Sequence, residues 1–157
     1  LMAFCAERLP DVQWVLIGPV KSHRIILESL QGKGNIHILP ACSYQEVPLY
    51  VSGFDVGLIP YRLNDYTRMV APIKLYEYLA MAKPVVSTPL PYVLREAQHV
   101  RIAADAEAFA QAVQEALAQA PSEERRATWR AVALRHSWGA QVDVIEKTLA
   151  PLLGVRP

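Results

Sequence analysis

The sequence is short of most features that announce a function. It holds two cysteines in 157 residues, Cys5 and Cys42, with no CxxC spacing and no histidine pair at metal-ligand distance. A zinc site and a disulfide framework are both excluded on that pattern, and two reduced thiols of an intracellular protein fit it. Charge of one sign is missing as well. Sixteen Lys and Arg against fifteen Asp and Glu leave a formal net charge of +1, which gives none of the basic field that nucleic-acid binding needs. No apolar run reaches the roughly 18 residues of a membrane span, and the first residues carry no signal-peptide pattern. Those two absences point to a soluble, cytoplasmic chain. There is no G-x-G-x-x-G, no internal repeat and no low-complexity linker. His23, His37, His99 and His136 are scattered and form no acid/base constellation.

What is present is enough apolar residue for one compact domain over 1–157, since 52% of the chain is hydrophobic and 20% charged. The chain is organised around Ala71 to Thr88, APIKLYEYLAMAKPVVST. This stretch reads as a loop ending at Pro72, a helix from about Ile73 to Ala82, a short connection at Lys83 and a buried strand from Pro84 to Ser87. Proline suits a first helical turn because its missing N–H has no partner there. Leu75, Leu79 and Ala82 recur on one face, with Lys74, Glu77 and Met81 on the next. A helix that opens from a loop and feeds a parallel-type strand is how α/β sheets hold a ligand at a helix N-terminus.

The remainder alternates in type. A helix over Leu1–Leu9 stops at Pro10, and WVLIG (Trp14 to Gly18) reads as a strand buried on both faces. Ser22 caps a helix to about Leu30, followed by a strand at Ile36–Pro40. Ser43 and Glu46 have capping-box spacing for a helix over Tyr44–Ser52, before a strand at Asp55–Tyr61. A polar loop from Arg62 to Val70 leads into the central helix. Beyond Thr88 the pattern predicts a helical Tyr92–Ala97 and a short strand at Val100–Ala103. Three helices follow over Glu107–Ala120, Glu123–Arg135 and Trp138–Leu153, the last with Val142, Ile145 and Leu149 as its apolar stripe. Such alternation predicts an α/β fold, a Rossmann-like parallel sheet with helices on both faces.

Two segments, NIHILPACSYQEVPLYVSGFDVGLIPY and PIKLYEYLAMAKPVVST, resemble the C-terminal domain of GT-B glycosyltransferases, the retaining group that builds bacterial polysaccharides. The second matches the family pattern P-x-K-x-x-E-Y-L-A-x-G-K-P-V-V-S-T, and RHSWGAQVDVIEKTL resembles the helix that closes the fold. The resemblance implies a bacterial transferase whose domain binds a nucleoside diphosphate sugar as donor substrate, with no further cofactor and no metal. It implies that Glu77 accepts hydrogen bonds from both ribose hydroxyls, a role that an ionised carboxylate can fill for a vicinal diol. The backbone of Met69, Val70, Ala71, Pro72 and Ile73 would meet the diphosphate, with Lys74 adding a positive charge. Asn64, Thr67 and Arg68 would offer donors to phosphate or sugar, and Gly18 would approach the nucleotide.

Two positions depart from the family pattern. Met69 stands where many members have a second glutamate, and Ala82 where they have glycine. The resemblance also makes the 157 residues a fragment of a two-domain enzyme. The acceptor, a catalytic histidine and any peripheral membrane association would come with a missing N-terminal domain. Leu1 would fall inside the first helix, after a strand at the sheet's centre. Without it the sheet must close, with Trp14–Gly18 beside Pro84–Ser87, or leave a gap that another segment fills. Two other readings are a nucleotide-sugar 2-epimerase-like domain and a non-catalytic, flavodoxin-like interaction module.

Overall fold

The computed structural model describes residues 1–19, 30 and 32–153. Helix α1 (Met2–Arg8) leads to β1 (Trp14–Ile17), then β2 (Ile36–Leu39), α2 (Val47–Ser52) and β3 (Gly57–Ile59). After a 3-10 turn at Thr67–Met69 come α3 (Lys74–Ala80) and β4 (Val85–Ser87). A second 3-10 turn, Val93–Glu96, precedes β5 (Arg101–Ile102), and the chain ends in α4 (Ala106–Ala118), α5 (Glu123–Arg135) and α6 (Trp138–Leu153). The helix expected from Ser22 falls on 20–29, outside the described residues.

All observed strand pairs are parallel, as the alternation predicts, but they form two sheets. One is β1–β2, with Trp14 opposite Ile36; the other runs β3–β4–β5, with Gly57 opposite Val85 and Val86 opposite Arg101. Closure of Trp14–Gly18 onto Pro84–Ser87 therefore does not occur. Strand β4 is buried on both faces, which is why PVVST reads as an unbroken apolar run. Val86 packs with Cys5, Trp14, Phe109 and Val113 beneath α1 and α4. Val85 points the other way, into Ile59, Leu75, Leu79, Trp129 and Val132 beneath α3 and α5. Each such valine contributes about 1.5–3 kcal/mol by leaving water.

Local chemistry explains the element ends. Asp105 accepts from the Ala108 amide at 2.8 Å to start α4, and the Ser122 hydroxyl accepts from Arg125 at 3.3 Å to start α5. Only half of the Ser43–Glu46 box forms. The Glu46 carboxylate accepts from the Ser43 amide at 2.8 Å and hydroxyl at 2.6 Å, but α2 begins at Val47, with Pro48 in its first turn. Those two bonds hold the Glu46 carboxyl below its ordinary value. The Tyr92–Ala97 helix is a 3-10 turn, and in α6 the expected stripe is not buried: Val142, Ile145 and Leu149 are 47%, 54% and 44% exposed. The side-chain amide of Asn35 lies 3.0–3.3 Å from the carbonyls of Ala6, Leu9, Pro10 and Val12, tying the end of α1 to the turn into β1.

Helix α3 ends with Ala82 at φ 53, the left-handed conformation that glycine usually supplies. The Lys83 amide donates to Tyr78 O and the Ala82 amide to Leu79 O, both at 2.9 Å, which is a Schellman motif built on alanine. Alanine there costs about 1 kcal/mol in backbone strain, while burying its methyl returns about 0.8 kcal/mol. At the other side of the helix, a Cβ on Gly57 would meet ring carbons of Tyr78 at 2.4 Å, so the helix can approach β3 only over glycine. Two outcomes follow for chemical denaturation. Ala82→Gly should shift stability by less than about 1 kcal/mol, since strain relief and the lost methyl nearly cancel. Gly57→Ala should cost about 1–3 kcal/mol, because the clash is with the root of a half-buried ring.

Candidate functional site

The three parallel strands β3, β4 and β5 end on the same side, where the loop from Pro60 to Ile73 leaves β3 and returns into α3. The partly buried Thr88 hydroxyl anchors that loop to the sheet, and the buried Ser87 hydroxyl braces Thr88. Thr88 Oγ1 donates to Tyr61 O at 2.8 Å, and Ser87 Oγ donates to Thr88 O at 2.8 Å. The loop also ties itself. The Asn64 amide donates to Thr67 Oγ1 at 2.9 Å, the Thr67 amide donates to Asn64 Oδ1 at 2.8 Å, and Thr67 Oγ1 donates to Arg62 O at 2.6 Å. Asn64 and Thr67 thereby shape the turn, leaving the Asn64 side-chain NH₂ as the donor that faces outward work.

The backbone donors expected over Met69–Ile73 narrow in the structure. Met69 and Val70 donate to Tyr66 O and Thr67 O within the 3-10 turn, and Pro72 has no N–H. The Ala71 and Ile73 amides, with that of Lys74, have no acceptor among the described residues. Arg68 is exposed beside them and forms no ion pair among the described residues, and Met69 is 82% exposed. Gly18 closes β1 at the same end of the parallel strands, at φ 151, where a side chain would be strained.

Glu77 sits one turn into α3 and is partly buried. Neither carboxylate oxygen has a hydrogen-bond or ion-pair partner among the described residues. The ordinary alternative, a helix-surface pair with Lys74, does not form. Lys74 Nζ instead lies 5.1 Å from the centroid of the Tyr61 ring. Burial pushes the Glu77 carboxyl above its ordinary value, and the neighbouring Lys74 charge pulls it part of the way back. Tyr61, Ser87 and Thr88 are the residues that sequence reasoning did not single out; the Thr88 hydroxyl could have been suspected from its place just past the strand's end.

A carboxylate desolvated without a partner weakens the fold that holds it. With the folded pKa above the unfolded one, the native state binds more protons between the two values, so stability falls as pH rises through that window. Glu77→Gln should therefore raise the thermal midpoint of the unliganded protein at neutral pH and flatten its decline between acid and neutral pH. A calorimetric series from pH 4 to 8 measures both, and an unchanged slope would remove Glu77 from this account.

Comparison with known proteins gives the family of the chain. The family model described as "Glycosyl transferases group 1" matches residues 2–119. A Bacillus subtilis (strain 168) protein, TuaH, named for glycosyltransferase work in teichuronic acid biosynthesis, is 34% identical over 87 residues, which are 55% of this chain and 22% of that protein. Among solved structures, WaaG, a glycosyltransferase involved in lipopolysaccharide biosynthesis, aligns with 86% of this chain and 36% of its own, at a TM-score of 0.57 and 21% identity, a likeness of fold. The chain thus spans well under half the length of either protein.

Proposed function

The chain belongs to the group 1 glycosyl transferases, and from that premise we propose that it is the donor-binding domain, with Glu77 holding the ribose of a nucleoside diphosphate sugar. The observation that supports this most is the partly buried Glu77 carboxylate, whose two oxygens have no acceptor duties among the described residues. Two vicinal hydroxyls satisfy such a group and offset its desolvation. The amides of Ala71 and Ile73, with Arg68, face the diphosphate. These discrete donors carry that contact, because a seven-residue helix adds little dipole of its own. Lys74 contributes its charge from over Tyr61, and Gly18 leaves room for the nucleotide at the end of β1. Val70 and Pro72 set the loop's path, and the exposed Met69 side chain meets the transferred sugar.

In the reaction the C1–oxygen bond to the diphosphate breaks, an acceptor oxygen bonds to C1, and the acceptor's proton departs. Positive donors at the diphosphate stabilise that leaving group without a metal. The acceptor and the proton-handling group come from the remainder of a two-domain enzyme, so this domain alone binds donor without transferring sugar. The acceptor class we assign is a bacterial surface polysaccharide or glycan, and the site of work is the cytoplasm, where nucleotide sugars are made. The names of both relatives point to such glycans.

Titration calorimetry with uridine and guanosine diphosphates tests the reading. One of them should bind, and Glu77→Ala should weaken it by about 2 kcal/mol, some 30-fold. Affinity should fall in acid as Glu77 protonates, beginning above the ordinary carboxylate range because its pKa is raised. An alanine variant with native circular dichroism and undiminished affinity would dispose of the ribose role. Hydrogen exchange gives a second check: the Ala71 and Ile73 amides should gain protection on binding while Met69 and Val70, already bonded in the turn, change less.

A further inference from the structure

Glu77 can receive a ligand on both oxygens only if the nearest cation leaves it free. That cation is Lys74, three residues earlier on α3, where helix geometry brings side chains onto neighbouring faces. Lysine ahead of glutamate is the weaker order for such a pair, but both side chains are half-buried, and a desolvated carboxylate attracts a nearby charge strongly. Among the described residues no ion pair joins them. A group outside the helix therefore holds the lysine.

Tyr61 is that group. Lys74 Nζ lies over its ring, 5.1 Å from the centroid, inside the roughly 6 Å over which a ring face attracts an ammonium. The ring is fixed before the lysine reaches it. Its backbone carbonyl accepts from Thr88 Oγ1 at 2.8 Å, just past the end of β4, and its side chain packs against the cluster that holds Ile59, Leu75, Leu79 and Val85. Its hydroxyl makes no hydrogen bond among the described residues, so the ring face is what this side chain offers.

The two positions open to Lys74 differ in what they cost. Drawing it onto Glu77 orders two flexible side chains on a helix surface, whereas laying it over Tyr61 orders the lysine alone, because core packing has already ordered the ring. The ring also takes up the ammonium without occupying a carboxylate oxygen, and a vicinal diol needs both. Lys74 is the charge that acts on Glu77, and Tyr78 on the same helix is the titratable neighbour on which Glu77 acts. Arg62 and Arg68 of the loop form no ion pair with it among the described residues.

We propose that Tyr61 is a positioning residue for donor binding, whose ring holds the Lys74 ammonium off Glu77 and so keeps both carboxylate oxygens open to two vicinal hydroxyls. The use made of the open carboxylate rests on the donor-binding reading above; the hold on the lysine does not.

The hold is tested without nucleotide, by nuclear magnetic resonance. In the wild-type protein the Lys74 ε-methylene protons should lie upfield of those of Lys83, whose ammonium donates to Ser52 O, because they sit in the shielding region of a ring face. Equal shifts overturn the proposal whatever the variants do. Removing the ring with Tyr61→Leu releases the lysine to Glu77, and an opposite charge there favours the ionised carboxyl. The Glu77 titration should therefore move to lower pH in Tyr61→Leu and stay at its wild-type position in Tyr61→Phe, which keeps the ring. Coincident titrations of wild type and Tyr61→Leu, or a Tyr61→Phe that follows Tyr61→Leu, overturn it.

Binding supplies the second arm, by calorimetry at neutral pH with uridine and guanosine diphosphates. Tyr61→Leu should weaken the nucleotide that binds by about threefold to fivefold, the scale of one exposed ion pair that must be broken. In a Lys74→Met background the same substitution should change affinity less than about 1.5-fold, since no lysine is left to hold. An equal loss in both backgrounds overturns the proposal and makes Tyr61 a packing residue. If neither nucleotide binds the wild-type protein, the donor reading falls, and the two resonance measurements decide the role of Tyr61.

Discussion

Strand β4 is the constraint on which the rest of this domain depends. Val85, Val86 and Ser87 are between 0% and 1% exposed, with β3 and β5 on either side and a separate apolar cluster against each face. Strand β3 meets both as well, through Leu58 and Ile59, but β4 sets a fully buried residue in each, Val86 in one and Val85 in the other. A strand so placed admits no polar or flexible neighbour, so the connection before it must be short and the helix before that must pack tightly. The Schellman turn at Ala82 and Lys83 meets the first demand, and the glycine beneath Tyr78 meets the second. The loop from Pro60 to Ile73 is then pinned at Tyr61 by Thr88 as a consequence of where β4 ends. The position of the candidate site is thus inherited from the core.

This dependence explains what could be read in the sequence. PVVST is legible because burial on both faces removes polar residues from consecutive positions, and the resulting run is unlike either an alternating strand or an amphipathic helix. WVLIG reads the same way, but the expected burial on both faces is not met there: of β1 only Trp14 is buried, and Val15 is 37% exposed. Helices α4 and α5 are legible as elements, while the side chains that cap their starts, Asp105 and Ser122, were not singled out in the sequence. The motif around Glu77 was legible as a pattern, but its lack of a partner was not, since Lys74 at i−3 predicts a pair that Tyr61 pre-empts. Cation–ring contacts between a loop and a helix leave no spacing in the sequence. The same holds for Asn64 and Thr67: as sequence they are free polar donors, and only the folded loop shows them bonded to each other.

Glu77 is worth weighing against the rest of the domain in energetic terms. Its carboxylate is desolvated, its nearest cation lies over a ring, and its neighbours on the helix are apolar or aromatic. In a structural role the residue would do better as glutamine or leucine. Retaining a carboxylate where it opposes folding is the trade expected of a binding group, whose partner arrives with the ligand. The rigid flank makes the trade bearable, because a core of two clusters around β4 can carry a local loss of the size that one half-buried charge imposes.

Helix α3 shows how tightly this trade is drawn. Successive helical residues point about 100° apart, so Leu75, Tyr76, Glu77 and Tyr78 face four directions within a single turn. Leu75 is fully buried in the core beside β4. Tyr76 stacks on His136 with ring centroids 4.1 Å apart and meets Tyr92 edge-on at 6.4 Å, while His136 Nε2 lies 3.3 Å from Glu96 Oε1. Burial and the neighbouring Tyr92 hydroxyl push the Tyr76 phenol up, so it stays neutral. Tyr78 lies across Gly57 of β3. Of these four, Glu77 is the one whose side chain has no hydrogen-bond or packing partner to hold it among the described residues, and it lies between neighbours that fix the helix about its axis and along its length. A rotation of α3 that relieved the carboxylate would unstack Tyr76, lift Tyr78 off the glycine and withdraw Leu75 from the core. The unpaired carboxylate stays at Glu77 because the contacts of Leu75, Tyr76 and Tyr78 fix how the helix is turned.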